Sequence, residues 1–305
     1  LGDKTSAWVT TRDAMTMLCI AVGLAPAFKM KFWNIGGNGQ ALIGALSTTA
    51  IMFYFGGKIP NGLLWAFMLV ASLVSGMIWA VLPAIFKAKW NTNETLFTLM
   101  LNYVAMQLVT FAIVFWENPS GSNTVGIINA AGQKGWFPSI FGNMYGLNVI
   151  VVLIITLGMY VYMKYSKQGY EIAVVGESQN TARYAGINVK KVIIRTMMLS
   201  GAICGIAGCL IVSGASHTIS TSTAGGRGFT AIIVAWMSKF NPFAMILVSA
   251  FLVFMQQGSI QIASQFGLNE NASDIITGIL LFFLIGCEFF INYKLEWKKN
   301  HKEGK

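Results

Sequence analysis

The chain has 305 residues, of which 55% are hydrophobic and 10% are charged, and its mean hydropathy is +0.62. Several apolar stretches approach the roughly 20 residues that an α-helix needs to cross a bilayer, which excludes a soluble globular protein and predicts an all-α, polytopic membrane helix bundle. The net charge of +10 indicates membrane orientation rather than nucleic-acid binding, and the four cysteines lack the spacing of a disulfide framework or a zinc site.

Nine apolar runs follow one another along the chain. Eight have about the length of a membrane span, whereas 229–237 is too short to cross as a straight helix and is predicted to be a broken or re-entrant element. The sequence begins at Leu1 without an initiator Met, so we expect an N-terminal span to be missing. The runs are 13–28, 40–56, 62–86, 95–116, 147–163, 193–216, 229–237, 242–258 and 272–292.

Lysine and arginine concentrate on one side of this arrangement. If every run crosses once and the C-terminus is cytoplasmic, sixteen of the 21 Lys and Arg residues lie inside and five lie outside. This bias predicts a single transmembrane domain over residues 1–305, with an extracellular loop at 117–146, a cytoplasmic loop at 165–192 and a cytoplasmic tail at 293–305. The five outside cations are Lys4, Arg12, Lys58, Lys134 and Arg227.

Three segments between the runs are rich in residues that break helices. The 117–146 loop could act as a lid, as a partner surface or as a connector folded on the membrane. Residues 33–40 combine three glycines with three amides, and residues 225–228 place three glycines before the short run. Non-helical backbone at membrane depth persists only beside protein or a water-filled cavity, so both are candidate walls of a pathway. A plain cytoplasmic turn is the alternative for 33–40.

The source of energy for any transport is external to this chain. The ionisable residues Glu94, Asp274 and Glu288 lie near the ends of apolar runs, and the sequence shows no clear midplane carboxylate of the kind that ion-coupled carriers use. The phosphate-binding pattern G-x-x-x-x-G-K-[ST] is also absent from the sequence. A partner must therefore supply the energy.

Four motifs together resemble one family. They are Phe32 to Ala45, Asn93 to Tyr103, Val175 to Asn188 and Gly226 to Ala235. Over nearly its whole length the chain is similar to the membrane permease of bacterial ABC importers that serve branched-chain amino acids, ribose-like sugars and nucleosides, and most similar to the nucleoside and simple-sugar (general nucleoside transport) branch. It departs from the family pattern at Thr230, where relatives often have an acid, and at residues 236–239.

This resemblance implies a permease subunit without a catalytic site, which is not an enzyme and binds no cofactor. ATP would be bound by a separate ATPase subunit. The implied partners are that ATPase, a second permease that we expect to be a different chain, an extracytoplasmic solute-binding protein and the lipid bilayer. The implied location is the bacterial plasma membrane, with several passes and a cytoplasmic C-terminus. No nucleic acid is expected to bind.

The resemblance also assigns the ATPase contact to a cytoplasmic coupling helix. Its polar residues can offer hydrogen bonds and one fixed charge to a groove, and its small residues permit close approach. A basic loop that only sets the topology is the alternative. The predicted coupling residues are Glu177, Ser178, Asn180, Thr181, Arg183, Tyr184, Ala185, Gly186 and Ile187.

Amides, hydroxyls and aromatic rings within the apolar runs suggest a neutral, hydroxyl-bearing solute. Each such side chain could instead bridge helices, which is the more frequent role of single amides in a bundle. His217 is expected to be an interfacial or loop residue rather than a ligand. The predicted pathway residues are Asn34, Asn38, Gln40, Asn102, Tyr103, Gln107 and Thr230.

Two sets of alternatives remain open at this point. Within the importer class, a ribose-type sugar or a branched-chain amino acid competes with a nucleoside as the solute, because a separate binding protein largely sets the specificity. Outside that class, the alternative is a stand-alone channel or secondary carrier, which would move solute without ATP.

Overall fold

The computed structural model describes residues 4–140 and 143–268, together with residues 272, 275–279, 282–283 and 286–287. Regular structure in these residues is helical, which confirms the all-α prediction. The helices are α1 Lys4–Lys29, α2 Gly37–Phe55, α3 Asn61–Trp90, α4 Glu94–Trp116, α5 Gly146–Tyr165, α6 Lys167–Glu177, α7 Gln179–Tyr184, α8 Val189–Ile211, which continues as a π-helical turn Val212–Ser216, α9 Arg227–Met237 and α10 Pro242–Gln265.

Five of the described helices are long and apolar enough to span a membrane, namely α3, α4, α5, α8 with its π-helical turn, and α10. The helices α1 and α2 are not among them, and both are mostly buried by the rest of the chain. The predicted number of eight spans remains a prediction. Most of the run 272–292, and all of the tail 293–305, lie outside the described residues.

Helix α8 is the centre of the bundle. Within its most apolar stretch, 89% of the residues are buried inside the chain, against 28% for α3 and α4 and 33% for α5. The outer helices thus expose long apolar faces such as Ile78 on α3 and Phe111 on α4, which suits contact with lipid or with another membrane subunit.

Glycines on α8 bring its backbone close to α2 and α3. A Cβ atom at Gly205 would overlap the carbonyl oxygen of Ser72 on α3, and one at Gly201 would overlap that of Gly76. From α2, a Cβ at Gly44 would overlap the Gly205 carbonyl. Membrane helices associate through such close packing because lipid supplies no hydrophobic force between them.

Contacts between helix ends define the two ends of the bundle. At one end, Trp65 Nε1 donates to the Trp136 carbonyl at 3.0 Å, and the Phe137 amide donates to the Ser213 carbonyl at 3.1 Å. These bonds place the start of α3 and the end of α8 beside the 117–146 loop. At the other end, Lys87 Nζ lies 2.8 Å from Glu94 Oε2 between α3 and α4. The cation-rich 165–192 loop lies at this second end, since Gly176 packs against the end of α1.

The loop 165–192 is more helical than the sequence suggested. It contains α6 as well as α7, and α8 begins at Val189 rather than at residue 193. Side-chain caps explain these boundaries: Ser166 Oγ accepts from the Gly169 amide at 2.9 Å, and Asn188 Oδ1 accepts from the Lys191 amide at 3.1 Å. The polar first turn of α8 hid its start from a search for apolar runs.

The short run forms a separate helix of 11 residues, α9, and its broken or re-entrant character stays a prediction. Gly225 and Gly226, with φ of +55° and +68°, supply the left-handed backbone that leads into it. Its first residue, Arg227, pairs with Asp13 on α1 at 3.1 Å, and the ring of Trp236 near its end stacks on Trp33 at 5.5 Å. At 1.5 Å per residue α9 is roughly 16 Å long, about half of a span.

By its contacts the chain divides into two compact units, Leu1–Ala250 and Phe251–Lys305. The packing described above lies in the first unit. The described part of the second unit contains about the last four turns of α10, from Phe251 to Gln265, and short helical stretches beyond it.

We predict that Gly205→Leu destabilises the folded chain strongly, because the added side chain must separate α8 from α3. Overpacking of this kind costs about 1–3 kcal/mol and sometimes more. Gly158→Leu on α5 is the matched control, since a Cβ there would meet nothing within 4 Å. The measurement is the midpoint of thermal unfolding in detergent. Equal midpoints for the two variants would contradict the packing of α8 described here.

Candidate functional site

The non-helical segment between α1 and α2 is partly buried: Lys31 and Trp33 are exposed, whereas Asn34 and Gly36 lie inside the bundle. Asn34 is fully buried, and its side chain reaches in three directions. Its Nδ2 donates to Ser200 Oγ on α8 at 3.1 Å, while its Oδ1 accepts from the Gly36 amide at 3.0 Å and from Gln40 Nε2 at 3.2 Å. The turn is thus fastened to α8 and to the first turn of α2.

Helix α4 supplies side-chain partners for further backbone groups at this turn. Thr98 Oγ1 accepts from the Ile35 amide at 3.2 Å. Asn102 Nδ2 donates to the Ile35 carbonyl at 3.0 Å, and Asn102 Oδ1 accepts from the Gly39 amide at 2.8 Å. Side chains replace the hydrogen bonds that a helix would have made, which is the condition for irregular backbone within a membrane.

The predicted pathway residues therefore separate into two groups. Asn34 and Asn102 bridge helices, which is the role that the sequence left open as the alternative for each amide. Asn38 and Gln40 are also buried, but Asn38 Oδ1 and Gln40 Oε1 have no hydrogen-bond partner among the described residues. Gly228 on α9 packs against the backbone of Asn38. These two amide oxygens are available to a further group at the junction of α2 and α9.

The other predicted pathway residues lie apart from this buried cluster. Tyr103 and Gln107 are exposed on α4, where the exposed Thr110 continues the same stripe one turn later, and Thr230 is half-buried on α9. The sequence analysis missed Thr110, although its spacing of i, i+4 and i+7 with the other two could have identified it. The exposed stripe suits contact with a pathway or with another subunit.

The predicted coupling helix is a short, capped and exposed element. Ser178 Oγ accepts from the Thr181 amide at 3.3 Å at the start of α7, and Gly186, with φ of +76°, ends the turn that follows it. The Ile187 amide donates to the Ala182 carbonyl at 2.9 Å and closes the segment. Local hydrogen bonds therefore define both ends of this helix.

Most of the predicted coupling residues face outward. Ala182 is buried, whereas Tyr184 is 94% exposed. Arg183 Nη1 lies 3.5 Å from Asn180 Oδ1, so the two polar side chains lie together on the surface of α7. The remaining predicted residues are distributed around them: Glu177, Thr181, Ala185 and Gly186 are exposed, and Ser178 and Ile187 are half-buried.

Helix α6, which leads into α7, contacts both α1 and α8. Gly176 at the end of α6 packs on the Lys29 carbonyl of α1, and a Cβ there would overlap that oxygen. Arg195 Nη2 lies 2.8 Å from Glu171 Oε2, which ties α6 to α8. A force applied to α7 would therefore reach both α1 and α8.

The opposite end of the bundle contains an aromatic contact that the sequence analysis did not predict. The rings of Trp136, in the 117–146 loop, and His217, just after the π-helical turn, stack with centroids 3.8 Å apart and planes at 8°. Burial lowers the pKa of His217 from its usual value of 6.5, because it disfavours the charged imidazolium. The imidazole is therefore neutral at pH 7.

Residues 9–285 match the family described as "Branched-chain amino acid transport system / permease component". The chain belongs to this permease family. The permease is a transport component rather than an enzyme, which confirms that prediction. The family match also confirms the resemblance that the four sequence motifs suggested.

Curated relatives align with most of the permease. It is 26% identical over 304 residues to the nucleoside ABC transporter permease protein NupB of Lactococcus lactis subsp. cremoris, an alignment that covers 97% of this chain and 83% of the relative. It is 28% identical to the glucose ABC transporter permease protein TsgB13 of Haloferax volcanii (90% and 75% covered) and 26% identical to the guanosine ABC transporter permease protein NupP of Bacillus subtilis (90% and 79% covered).

One solved structure shares the fold. It is a metal-chelate type ABC transporter in an inward-facing conformation, which superposes with a TM-score of 0.52 over 92% of this chain and 85% of the other at 13% identity. At this identity the likeness describes the helix arrangement alone. It agrees with a polytopic helix bundle of the ABC permease type.

We predict that Asn102→Leu lowers the stability of the permease, because the Ile35 carbonyl and the Gly39 amide lose their partner in a buried place. An unpaired buried group costs about 1–3 kcal/mol. Gln107→Leu, which changes an exposed amide on the same helix, should leave the unfolding midpoint unchanged. A midpoint that falls equally in both variants would show that Asn102 does not have this structural role.

We also predict that acidification destabilises, through His217, the end of the bundle that carries the 117–146 loop. Its folded-state pKa lies below the unfolded value, so the stability contribution is complete above about pH 6.5 and is lost as the pH falls through that value toward the folded pKa. His217→Phe keeps an aromatic ring but cannot titrate. The measurement is the thermal unfolding midpoint at pH 7.5 and at pH 5.5. From the higher to the lower pH the midpoint should fall further in wild type than in the variant, and an equal fall would refute the assignment.

Proposed function

We propose that the permease is the membrane subunit of an ABC importer that carries a nucleoside or a related simple-sugar solute and is driven by a separate ATPase subunit. The observation that carries this proposal is α7. It is an exposed, side-chain-capped helix, joined through α6 to α1 and α8, at the cation-rich end of a bundle of the permease family.

The docking of an ATPase is supported by the surface of α7. Tyr184 offers a nearly fully exposed ring, Arg183 a guanidinium group, and Ala185 and Gly186 a surface without bulky side chains. Exposed Tyr and Arg residues are typical anchors of protein interfaces. A loop that only sets the topology would need neither a buried Ala182 nor an Arg195–Glu171 ion pair to hold its geometry.

The proposed mechanism follows from the connections of α7. When the ATPase subunits close on ATP, they would displace α7, and α6 would transmit that displacement to α1 and α8 through Gly176 and Glu171. Since α8 packs against α1, α2 and α3 along its length, the bundle would move as a rigid body between inward-facing and outward-facing arrangements.

The nature of the solute is supported by the polar groups of the first unit. The amide oxygens of Asn38 and Gln40 are unpaired acceptors, and Tyr103 and Gln107 provide a ring and a further amide on α4. Such groups bind hydroxyls and heteroaromatic rings without demanding a charge. Curated relatives carry the names of nucleoside, guanosine and glucose transporters, which is why a nucleoside or sugar is proposed ahead of a branched-chain amino acid.

The rest of the assembly belongs to the same proposal. A second permease subunit, of a different chain, would cover exposed apolar and polar faces such as that of α4. An extracytoplasmic binding protein would deliver solute to the end that carries the 117–146 loop. The bundle would lie in a bacterial plasma membrane with the 165–192 loop and the C-terminus in the cytoplasm, and the cation bias of the sequence supports this orientation.

We predict that Arg183→Glu and Tyr184→Ala each reduce co-purification of the ATPase subunit by about tenfold or more, because truncating an interface anchor costs at least 2 kcal/mol. Lys190→Glu is the matched control: it reverses a charge on the same loop but leaves α7 intact. ATP-dependent uptake of guanosine into proteoliposomes, with the binding protein present, should fall in parallel with ATPase retention.

Two outcomes would reject the proposal. If wild type never retains an ATPase, or if it carries guanosine equally well without ATP, a channel or secondary carrier replaces the importer. If Lys190→Glu is as damaging as Arg183→Glu, general charge on the loop rather than α7 determines the association. Unfolding midpoints of all variants should match wild type, because the substituted side chains are exposed.

A further inference from the structure

A cavity of about 560 Å³ opens at the end of the bundle that carries the 117–146 loop. Its walls come from the start of α3, the loop and the π-helical turn that ends α8. This volume lies within the 300–1,000 Å³ that small-molecule sites occupy in proteins. The cavity is well separated from α7, which lies at the opposite end, and no residue predicted for the pathway lines it.

The walls are polar and aromatic but uncharged. Asn61, Gln133 and Ser213 supply amides and a hydroxyl, while Trp65, Trp136 and His217 supply aromatic rings. Among the described lining residues none is Asp, Glu, Lys or Arg, and burial holds His217 in its neutral form. Such a lining has no counter-charge for an ionised ligand and suits a neutral ring solute with hydroxyl or amide groups.

One polar atom in this wall has unmet hydrogen-bonding capacity. Asn61 Oδ1 is buried and has no partner among the described residues. A buried polar atom without a partner is costly and rare in native structures. A bound solute would satisfy it, since a hydroxyl or an amide N–H can donate to the Asn61 oxygen.

Hydrogen bonds between the wall residues fix the geometry of the cavity without a bound solute. Trp65 Nε1 donates to the Trp136 carbonyl at 3.0 Å, and Trp136 Nε1 donates to the Ile128 carbonyl at 2.9 Å. The Ile128 amide in turn donates to the His217 carbonyl at 2.9 Å, with His217 at a left-handed φ of 52°. A π-helical turn and a strained non-glycine residue next to a cavity are features that recur at binding sites.

We propose that this cavity is an outer solute site, which binds a neutral nucleoside or a sugar of similar size within one permease chain, outside the α2–α9 junction. The proposal rests on the proposed function for the class of solute. The 117–146 loop forms one wall of the site. Of the roles considered for this loop, namely lid, partner surface and connector, this site would require the lid.

The test is equilibrium binding of radiolabelled guanosine and glucose to the complete transporter in lipid nanodiscs, without the binding protein and without ATP. Wild type should bind at least one of the two, and unlabelled guanosine monophosphate should compete at least about tenfold less well than guanosine, because the cavity offers its phosphate no cation. Absence of binding to wild type, or competition by the monophosphate equal to that of guanosine, overturns the proposal.

Two variants locate the site. Gly132→Phe adds bulk to the wall at a position where a Cβ meets only the flexible Lys134 side chain, at 3.5 Å. Asn61→Leu removes the unpaired oxygen but keeps the number and branching of the side-chain heavy atoms. It should weaken binding about tenfold, because the solute loses a hydrogen bond inside the site. Gly132→Phe should weaken binding by at least as much, because its ring occupies part of the cavity. Ser120→Phe, exposed on the same loop and away from the cavity, is the control and should bind like wild type.

A stability measurement separates binding from folding. Without solute, Asn61→Leu should unfold at the same temperature as wild type or a higher one, because it removes a buried acceptor that has no partner. If both cavity variants bind solute like wild type, the site lies elsewhere and the proposal fails. ATP-dependent uptake by wild type, with the binding protein present, is measured separately. Uptake without binding in the cavity would reject the solute site but leave the proposed importer function supported.

Discussion

The close contact of α8 with α2 and α3 is the constraint on which the rest of this structure depends. In lipid there is no hydrophobic driving force between helices. They associate instead through dispersion and weak polar contacts, which require short distances between backbones. Gly201 and Gly205, about one turn apart on α8, provide those distances. The Asn34–Ser200 hydrogen bond lies at the next residue along the same helix, and it forms only because α8 has already come within reach of the α1–α2 turn.

Helix α8 also connects the two ends of the molecule. Its first half is tied to α6 by the ion pair between Arg195 and Glu171. It ends in a π-helical turn, where the Ser213 carbonyl accepts a hydrogen bond from the 117–146 loop. In an importer, a displacement of the coupling helix by an ATPase would therefore move a continuous, tightly packed element. Packed interfaces of this kind switch between discrete arrangements rather than deform gradually.

Buried amides serve two physical purposes in this chain. Asn34 and Asn102 are fully engaged in holding irregular backbone, and replacing them would leave main-chain groups unpaired inside the bundle. Asn38, Gln40 and Asn61 are equally polar, yet each has an oxygen without a partner among the described residues. The first kind contributes to stability, whereas the second bears a cost that a bound solute or a neighbouring subunit can offset. That difference is the physical basis for both proposals about solute contact.

The sequence by itself determined the features that depend on neighbours along the chain. These include the helical class, the positions of most helices, the half-span length of α9 and the existence of α7, because hydropathy, Ser178 as a cap and Gly186 as a stop all act within a few residues. Only the tertiary structure decided which polar groups meet. Asn34 finds Ser200 at a separation of 166 residues, and Trp136 stacks on His217 across 81 positions. Such pairings depend on which helix faces are in contact. The packing of small residues around α8 determines those faces, and its contacts join residues far apart in the sequence, so no local pattern predicts them.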